Sequence, residues 1–352
     1  MLLTKSDLYK EDINKIITSF DINNFTILRN KKLFITGCNG LICSAFVDLL
    51  WVLNKVHNLN ISIYLASRNI EKTKKRFHFS TEKNIILVPY DATAPFSNNF
   101  NCDYYILGAS NASPDLFIQE PVQTMTSNLF GLQEILNSTI RKNSKILYIS
   151  SSEVYGQITK NTPLKEYDYG FMDILNPRSS YGMSKRAAET ICSSYATQYA
   201  SNIVIARPGH IYGPTANKND KRVSSSFLFD AAKGKNLILK SKGEQIRSYT
   251  YCLDCASALL FILIYGKSCE AYNISNPLSI CTIADMASYY AKYSGTQLSF
   301  DLPTLNETKE FNPMINSSLD SCKLESLGWK PFFSKEEGFE HSIRIIKELE
   351  GL

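Results

Sequence analysis

Long uninterrupted apolar runs are missing from the 352 residues. The longest, Leu41 to Leu53, is broken by Asp48 and falls short of the ~20 residues that a membrane-spanning helix needs. It reads as a core helix, and no membrane insertion is expected. A strong excess of one charge is missing too: 38 Lys and Arg against 33 Asp and Glu leave +5 and a pI near 8.6. The cations are scattered among acids, so nucleic acid is not an expected partner. A phosphorylated small molecule needs only two or three well-placed cations, which this composition allows. No metal-type cluster of Cys and His stands out, and no metal is expected. Nine cysteines, an odd number, read as reduced thiols. The opening MLLTKSDLYKEDINK does not look like a secretory leader, and a cytoplasmic location is the simplest expectation. No repeats or low-complexity tracts stand out.

What is present is alternation. Residues 1 to about 30 read as an amphipathic helical extension with Ile13, Ile16, Ile17 and Phe20 on one side. Short β-rich runs follow at 33–36, 61–67, 84–88, 103–110, 145–151 and 202–207, with helical segments around 40–56, 69–77, 120–142 and 178–200. Continuous apolar strands separated by amphipathic helices predict an α/β fold, a parallel sheet covered on both faces. After Arg207 the rhythm breaks into Gly- and Pro-marked loops, which suggests a second, smaller lobe. The expected units are therefore 1–30, 31–206 and 207–352, with a stretch near 245–266 returning to the first domain.

In LFITGCNGLICSAF, Gly37 and Gly40 follow the first strand and open a helix. Backbone amides at a helix start, with no Cβ in the way, form a site for a pyrophosphate. The third position of this glycine pattern holds Cys43, a departure at the residue that governs close helix–strand packing. The second strand ends in Ser67-Arg68, where an NAD-specific site usually offers an acid to the ribose. Ser67 and Arg68 either hold a 2′-phosphate, pointing to NADP, or Arg68 simply opens a solvated basic helix. Asp91, after the third strand, either meets the adenine or caps a turn.

SSYGMSK places Tyr181 and Lys185 at i and i+4, on one helix face. An ammonium beside a phenol, with a cationic nicotinamide nearby, is expected to lower the tyrosine pKa from about 10 toward neutrality. Such a tyrosine can take a proton from a sugar hydroxyl while hydride leaves the same carbon. In ISSSEVYG, Ser151 would hold the reacting oxygen, and Ser152 and Glu153 follow it into the crevice at the strand ends. The plain alternative is that serines end strands and Glu153 is solvated.

These segments, with YDAT, GASNASP, PRSSYGMSK, ARPGHIYGP, QIRSYTYCLD and LESLGWKPFFSKEEGFEHSI, resemble the extended short-chain dehydrogenase/reductases that modify nucleotide-diphosphate sugars. The likeness runs from about Leu33 to the C-terminus. It implies a Rossmann-type doubly wound sheet binding NAD or NADP, a C-terminal α/β lobe clasping the sugar nucleotide, and a homodimer. To the cofactor side it adds Asn39, Leu41, Ile42, Ala92 and Ala109, with Tyr181 and Lys185 shared; to the substrate side it adds Ser113. Ser-Ser-Glu at 151–153 is similar to the Thr-Ser-Glu of UDP-glucuronate decarboxylases and GDP-mannose 4,6-dehydratases. Arg178 fits the PRxxY arrangement of the same two groups. Arg247 resembles a family arginine that meets the diphosphate, and Arg222 lies where decarboxylases carry a similar RV segment. Each of these arginines has a surface ion pair as its alternative. His210 replaces an asparagine that often touches substrate. The implied reaction is oxidation at C4 followed by decarboxylation or 4,6-dehydration, with the decarboxylase slightly ahead. The rivals are an NADPH-dependent reductase, a 4-epimerase, and a non-catalytic NADP-binding sensor.

Overall fold

A computed structural model describes residues 1–20, 22–97, 100–302 and 314–352. Residues 303–313 of the expected second lobe lie outside the described residues. Helix α1 (Asp7–Thr18) precedes β1 (Lys32–Thr36), α2 (Leu41–His57), β2 (Ser62–Ser67), α3 (Ile70–Arg76) and β3 (Ile85–Pro89). Next come β4 (Tyr104–Leu107), α4 (Pro114–Gln119), α5 (Pro121–Thr139), β5 (Lys145–Ile149), α6 (Ser180–Tyr199) and β6 (Asn202–Pro208). The remainder is β7 (His210–Tyr212), α7 (Val223–Ala232), β8 (Leu237–Leu239), β9 (Ile246–Tyr251), α8 (Cys252–Tyr265) and β10 (Ala271–Ile274). It ends with β11 (Ile280–Thr282), α9 (Ile283–Ser294), β12 (Leu298–Phe300), β13 (Asn316–Ser317), α10 (Cys322–Glu325) and α11 (Lys335–Glu350).

Seven parallel strands form one sheet in the order β3-β2-β1-β4-β5-β6-β10. The order reverses between β1 and β4, the switch point at which such sheets bind ligands beyond the carboxyl ends of their strands. Alternation along β1 shows why both faces are apolar: Leu33 and Ile35 point into one core, Phe34 into the other. The first core is covered by α2 and α8, the second by α5 and α6. β10, at 271–274, joins this sheet although it lies past the stretch expected to return. Within that stretch, α8 packs on α2, whereas β9 belongs to a second sheet with β7, β11 and β13.

Asp48, the interruption in the long apolar helix, is fully buried and ion-paired with Arg76. The sequence reading expects no Cys-x-x-Cys pair, and that is corrected here: Cys252 and Cys255, at the start of α8, have that spacing. Both are buried free thiols, pushed up by burial, with Cys252 at about 12, and they behave as core residues. Among the described residues no group of His, Cys, Asp and Glu could hold a metal, and no helix is long and apolar enough to cross a membrane.

The N-terminal extension is built into the body. Ser6 caps α1, Ile13, Ile16 and Ile17 are buried, and Phe20 meets the rings of Phe25, Phe261 and Phe332.

Candidate active site

The glycine loop is shaped by its neighbours. Gly37 has φ +68°, and a Cβ there would lie 2.7 Å from Gly108 O. Glycine is required on both counts. Thr36 Oγ1 accepts from the amides of Gly108 and Ala109, at 3.0 and 3.2 Å, which ties the end of β4 to the end of β1. The Cys43 departure has a counterpart here. A Cβ on Gly108 would meet Cys43 Sγ at 2.4 Å, so the thiol fills room that the glycine across the sheet leaves free.

A cavity of about 770 Å³ opens in front of the loop. Of the residues expected at the cofactor, Gly37, Asn39, Gly40, Leu41, Ser67, Arg68, Asp91, Ala92 and Ala109 line it, and so does Ser113 from the substrate set. Ile42 is half-buried and packs against the main core instead. Ser67 is less free than its sequence position suggests. Its buried hydroxyl shares a hydrogen with Thr73 Oγ1 at 2.6 Å and reaches Asn69 O at 3.2 Å, so it is not poised for a phosphate. Arg68 is exposed on the cavity wall, joined by Lys72, which sequence reading did not single out. Asp91 caps a turn: Oδ1 accepts from Thr93 N at 2.9 Å and Thr93 Oγ1 at 2.7 Å. The Thr93 amide, with Arg68 assisting, holds its carboxyl below the usual range. The residues fit a dinucleotide. Glycines and a helix start face the cavity, and Asn39 Oδ1 and Ser110 Oγ, both on its lining, are buried without a partner among the described residues.

The residues expected to react come from the end of β5 and from α6. Ser151 lies two residues past β5, and its Oγ accepts from Glu153 N at 3.2 Å, capping the short turn Ser152–Tyr155. Of the three serines, Ser150 turns away to Glu189 Oε1 at 2.5 Å. Tyr181 is buried, and its ring stacks on Phe117, centroids 5.1 Å apart and planes at 14°. The Arg178 guanidinium lies 5.9 Å from the centre of the same Phe117 ring, so α4 positions both. Phe117 was missed from sequence, although its place in ASPDLF just before α5 was a signal.

Lys185 donates to Ile149 O at 2.8 Å and lies 5.8 Å from the Tyr181 ring centre. The expected acidification of the phenol also calls on a cationic nicotinamide; the chain's own groups do not supply it. Burial pushes Tyr181 up to about 12, with the Ser151 hydroxyl pulling it down, Glu153 raising it and Arg222 lowering it. Burial also pushes Lys185 down to about 7, partly offset by Glu189.

Of the residues expected at the substrate, Arg247 is 3% exposed and donates to Ile246 O at 2.9 Å and Met314 O at 3.1 Å. Burial lowers its proton affinity, while Tyr249 and Glu153 oppose that. Glu153 is half-buried, and its charge acts on both Tyr181 and Arg247. His210, half-buried beside Tyr249, is pushed down to about 3 by burial and by Arg247 and Arg222, so it stays neutral. Arg222 grips Asp220, with Nε at 3.0 Å from both carboxylate oxygens, as its ion-pair alternative predicts, yet it also lines the cavity.

A model of the NAD dependent epimerase/dehydratase family matches residues 33–275. The chain is 30% identical to UDP-glucuronic acid decarboxylase 1 of Xenopus tropicalis over 324 residues, 91% of this chain and 73% of that protein. UDP-glucuronic acid decarboxylase 6 of Arabidopsis thaliana is 29% identical over 311 residues, 88% and 87% of the two chains. Among solved structures, UDP-glucose 4-epimerase of Thermotoga maritima with UDP-glucose has a TM-score of 0.76 at 20% identity, covering 91% of this chain and 99% of that one. The dTDP-glucose 4,6-dehydratase of Bacillus anthracis in complex with NAD has a TM-score of 0.75 at 18% identity, covering 91% and 98%. At such identities the solved structures establish a shared fold. With a family model spanning most of the chain and a relative aligned along nearly all of it, the chain is an enzyme of the NAD dependent epimerase/dehydratase family.

Proposed function

We propose that the chain oxidises a nucleotide-diphosphate sugar at C4 and then removes carbon dioxide from it, as a UDP-glucuronate decarboxylase does. The observation that supports this reading is a half-buried Glu153 whose charge acts on both Tyr181 and a buried Arg247, which among the described residues donates to two carbonyls. Bound at the glycine loop, a nicotinamide dinucleotide supplies the hydride acceptor and returns the hydride. With its pKa lowered by the bound cationic nicotinamide and by Lys185, Tyr181 would take the proton of the C4 hydroxyl; Ser151 orients that oxygen, and Lys185 would hold the nicotinamide ribose. The C4 ketone stands β to the C6 carboxylate, which makes loss of carbon dioxide the easy next step. Glu153, with Ser152, faces the C5 side, where the resulting enolate is protonated. Arg247, Arg222, Arg178, His210 and Ser113 hold the rest of the substrate, arginine being suited to diphosphate by its two-pronged hydrogen bonding. A 4,6-dehydration uses the same groups with water leaving C6; a net reductase or an epimerase is the alternative on the same scaffold.

NADP is favoured over NAD, because Arg68 and Lys72 line the cavity at the end of β2 where an acid would serve NAD. A homodimer is favoured by an apolar stripe on α4 and α5, where Ile118, Val122 and Met125 are 53%, 70% and 40% exposed. Purified protein offered UDP-glucuronate and other nucleotide sugars gives the test, with products read by mass spectrometry. Loss of carbon dioxide is expected; loss of water or gain of a hydrogen pair replaces the decarboxylase by a dehydratase or a reductase. Tyr181→Phe should lower turnover by about 10²- to 10⁴-fold while the fold survives, since the Phe117 stack remains. Unchanged turnover would remove Tyr181 from the chemistry.

A further inference from the structure

Two side chains of α1 reach in different directions across the seam between the lobes. Tyr9 and Asp12 stand three residues apart, on one helix face, and both are buried. The Tyr9 hydroxyl donates to Asp48 Oδ2 at 3.1 Å. Asp48 lies on α2, the helix opened by the glycine loop, about 10 Å along the axis from its start. Asp12 Oδ2 accepts from the Tyr251 hydroxyl at 2.9 Å, and Oδ1 lies 2.8 Å from His341 Nδ1 on α11. Tyr251 ends β9, roughly 13 Å along the strand from Arg247. Ile13, Ile16 and Ile17 would suffice to anchor the helix by apolar packing. A buried carboxylate with two polar partners costs desolvation and returns direction instead.

We propose that α1 is a strap setting the gap between the glycine loop and Arg247, with Asp12 as the positioning residue. Tyr9 fixes the helix that carries the loop, and Asp12 fixes the strand that carries the arginine. This rests on the reading above, in which dinucleotide and sugar nucleotide meet those two elements.

The test uses the full chain with Asp12→Ala, Asp12→Asn and Tyr251→Phe, measuring KM, kcat, thermal midpoint and hydrogen exchange at 41–48 and 246–251. Asp12→Ala should raise KM for the sugar nucleotide about tenfold, leave kcat within about threefold, and speed exchange at 246–251. Asp12→Asn keeps an oxygen for Tyr251 and should restore most of the KM. A lowered midpoint with unchanged KM and unchanged exchange at 246–251 overturns the proposal, because α1 would then only pack. Should Asp12→Ala fail to fold, Tyr251→Phe removes one hydroxyl and reads the same KM change. If the wild type turns over no nucleotide sugar, the functional reading falls, and the exchange comparison still decides the strap.

Discussion

Two arginines of this enzyme are almost equally buried and are held in opposite ways. Arg207 is 2% exposed and Arg247 3%. Arg207 is saturated: it binds both oxygens of Glu189, at 3.0 and 2.6 Å, donates to Glu166 O at 2.7 Å, and meets the hydroxyls of Tyr155 and Tyr169, each at 3.1 Å. Although burial opposes it, Glu189 raises its proton affinity. Among the described residues Arg247 donates to two carbonyls, and burial prevails. A buried charge that is fully compensated fixes a structure; one that is under-compensated is suited to an anionic ligand. Lys185 belongs with Arg247 in this division, and Glu189 stands on the border, one turn after Lys185 on α6 and gripping Arg207.

The largest effect expected from this division is on stability. Arg207→Met strands the Glu189 carboxylate in the interior and should cost about 3–5 kcal/mol in denaturant unfolding. Replacing Glu189 by Met as well should recover much of that loss. Arg247→Met breaks no ion pair among the described residues, so it should leave stability within about 1 kcal/mol while lowering turnover about 100-fold, equivalent to about 2.7 kcal/mol of barrier. Equal stability losses from the two single variants would break the comparison.

Much of the fold was legible because parallel strands buried on both faces read as short apolar runs, and because glycines punctuate the first turn. Tyr181, Lys185 and Ser151 were legible as a spacing and a strand end. Their electrostatics were not, since depth of burial depends on which helices cover the sheet. In the chain by itself that depth sends the Tyr181 phenol up and the Lys185 ammonium down. Contacts across the chain were hidden for a related reason. Gly108 compensates Cys43 only because β4 lies beside β1, and Phe117 meets Tyr181 only because α4 folds onto α6. Ile13, Ile16 and Ile17 announced a buried helix, but nothing local told where Asp12 would find its partners.

Lys185 sharpens the comparison through pH. Its pKa falls from the usual 10.5 to about 7 on folding. Between those values the unfolded chain holds a proton that the folded chain has released, so the group makes stability climb with pH across that window. The slope is at most about 1.4 kcal/mol per pH unit, and below pH 7 this group adds none. Lys185→Met should flatten the wild-type curve between pH 7 and 10.5, whereas Arg207, always charged, contributes no such slope. Parallel curves for wild type and Lys185→Met would show that the lysine keeps its ordinary proton affinity, and would move it to the compensated class.

The smallest effect tests saturation itself. Tyr169 is 62% exposed, and its ring lies 5.5 Å from the Arg207 guanidinium while its hydroxyl accepts from Nη2. Tyr169→Phe keeps the ring and removes one of several acceptors, at a position where water can replace it. The loss should be about 0.5 kcal/mol in unfolding free energy. Tyr155→Phe removes a hydroxyl that serves both Arg207 and Asn273 where solvent does not reach, and should cost about 1–3 kcal/mol. If the exposed tyrosine proved the costlier of the two, Arg207 would depend on its single outermost partner. It would then resemble Arg247 more than its list of hydrogen bonds suggests, because what separates the two arginines is the redundancy of the bonds and not their number.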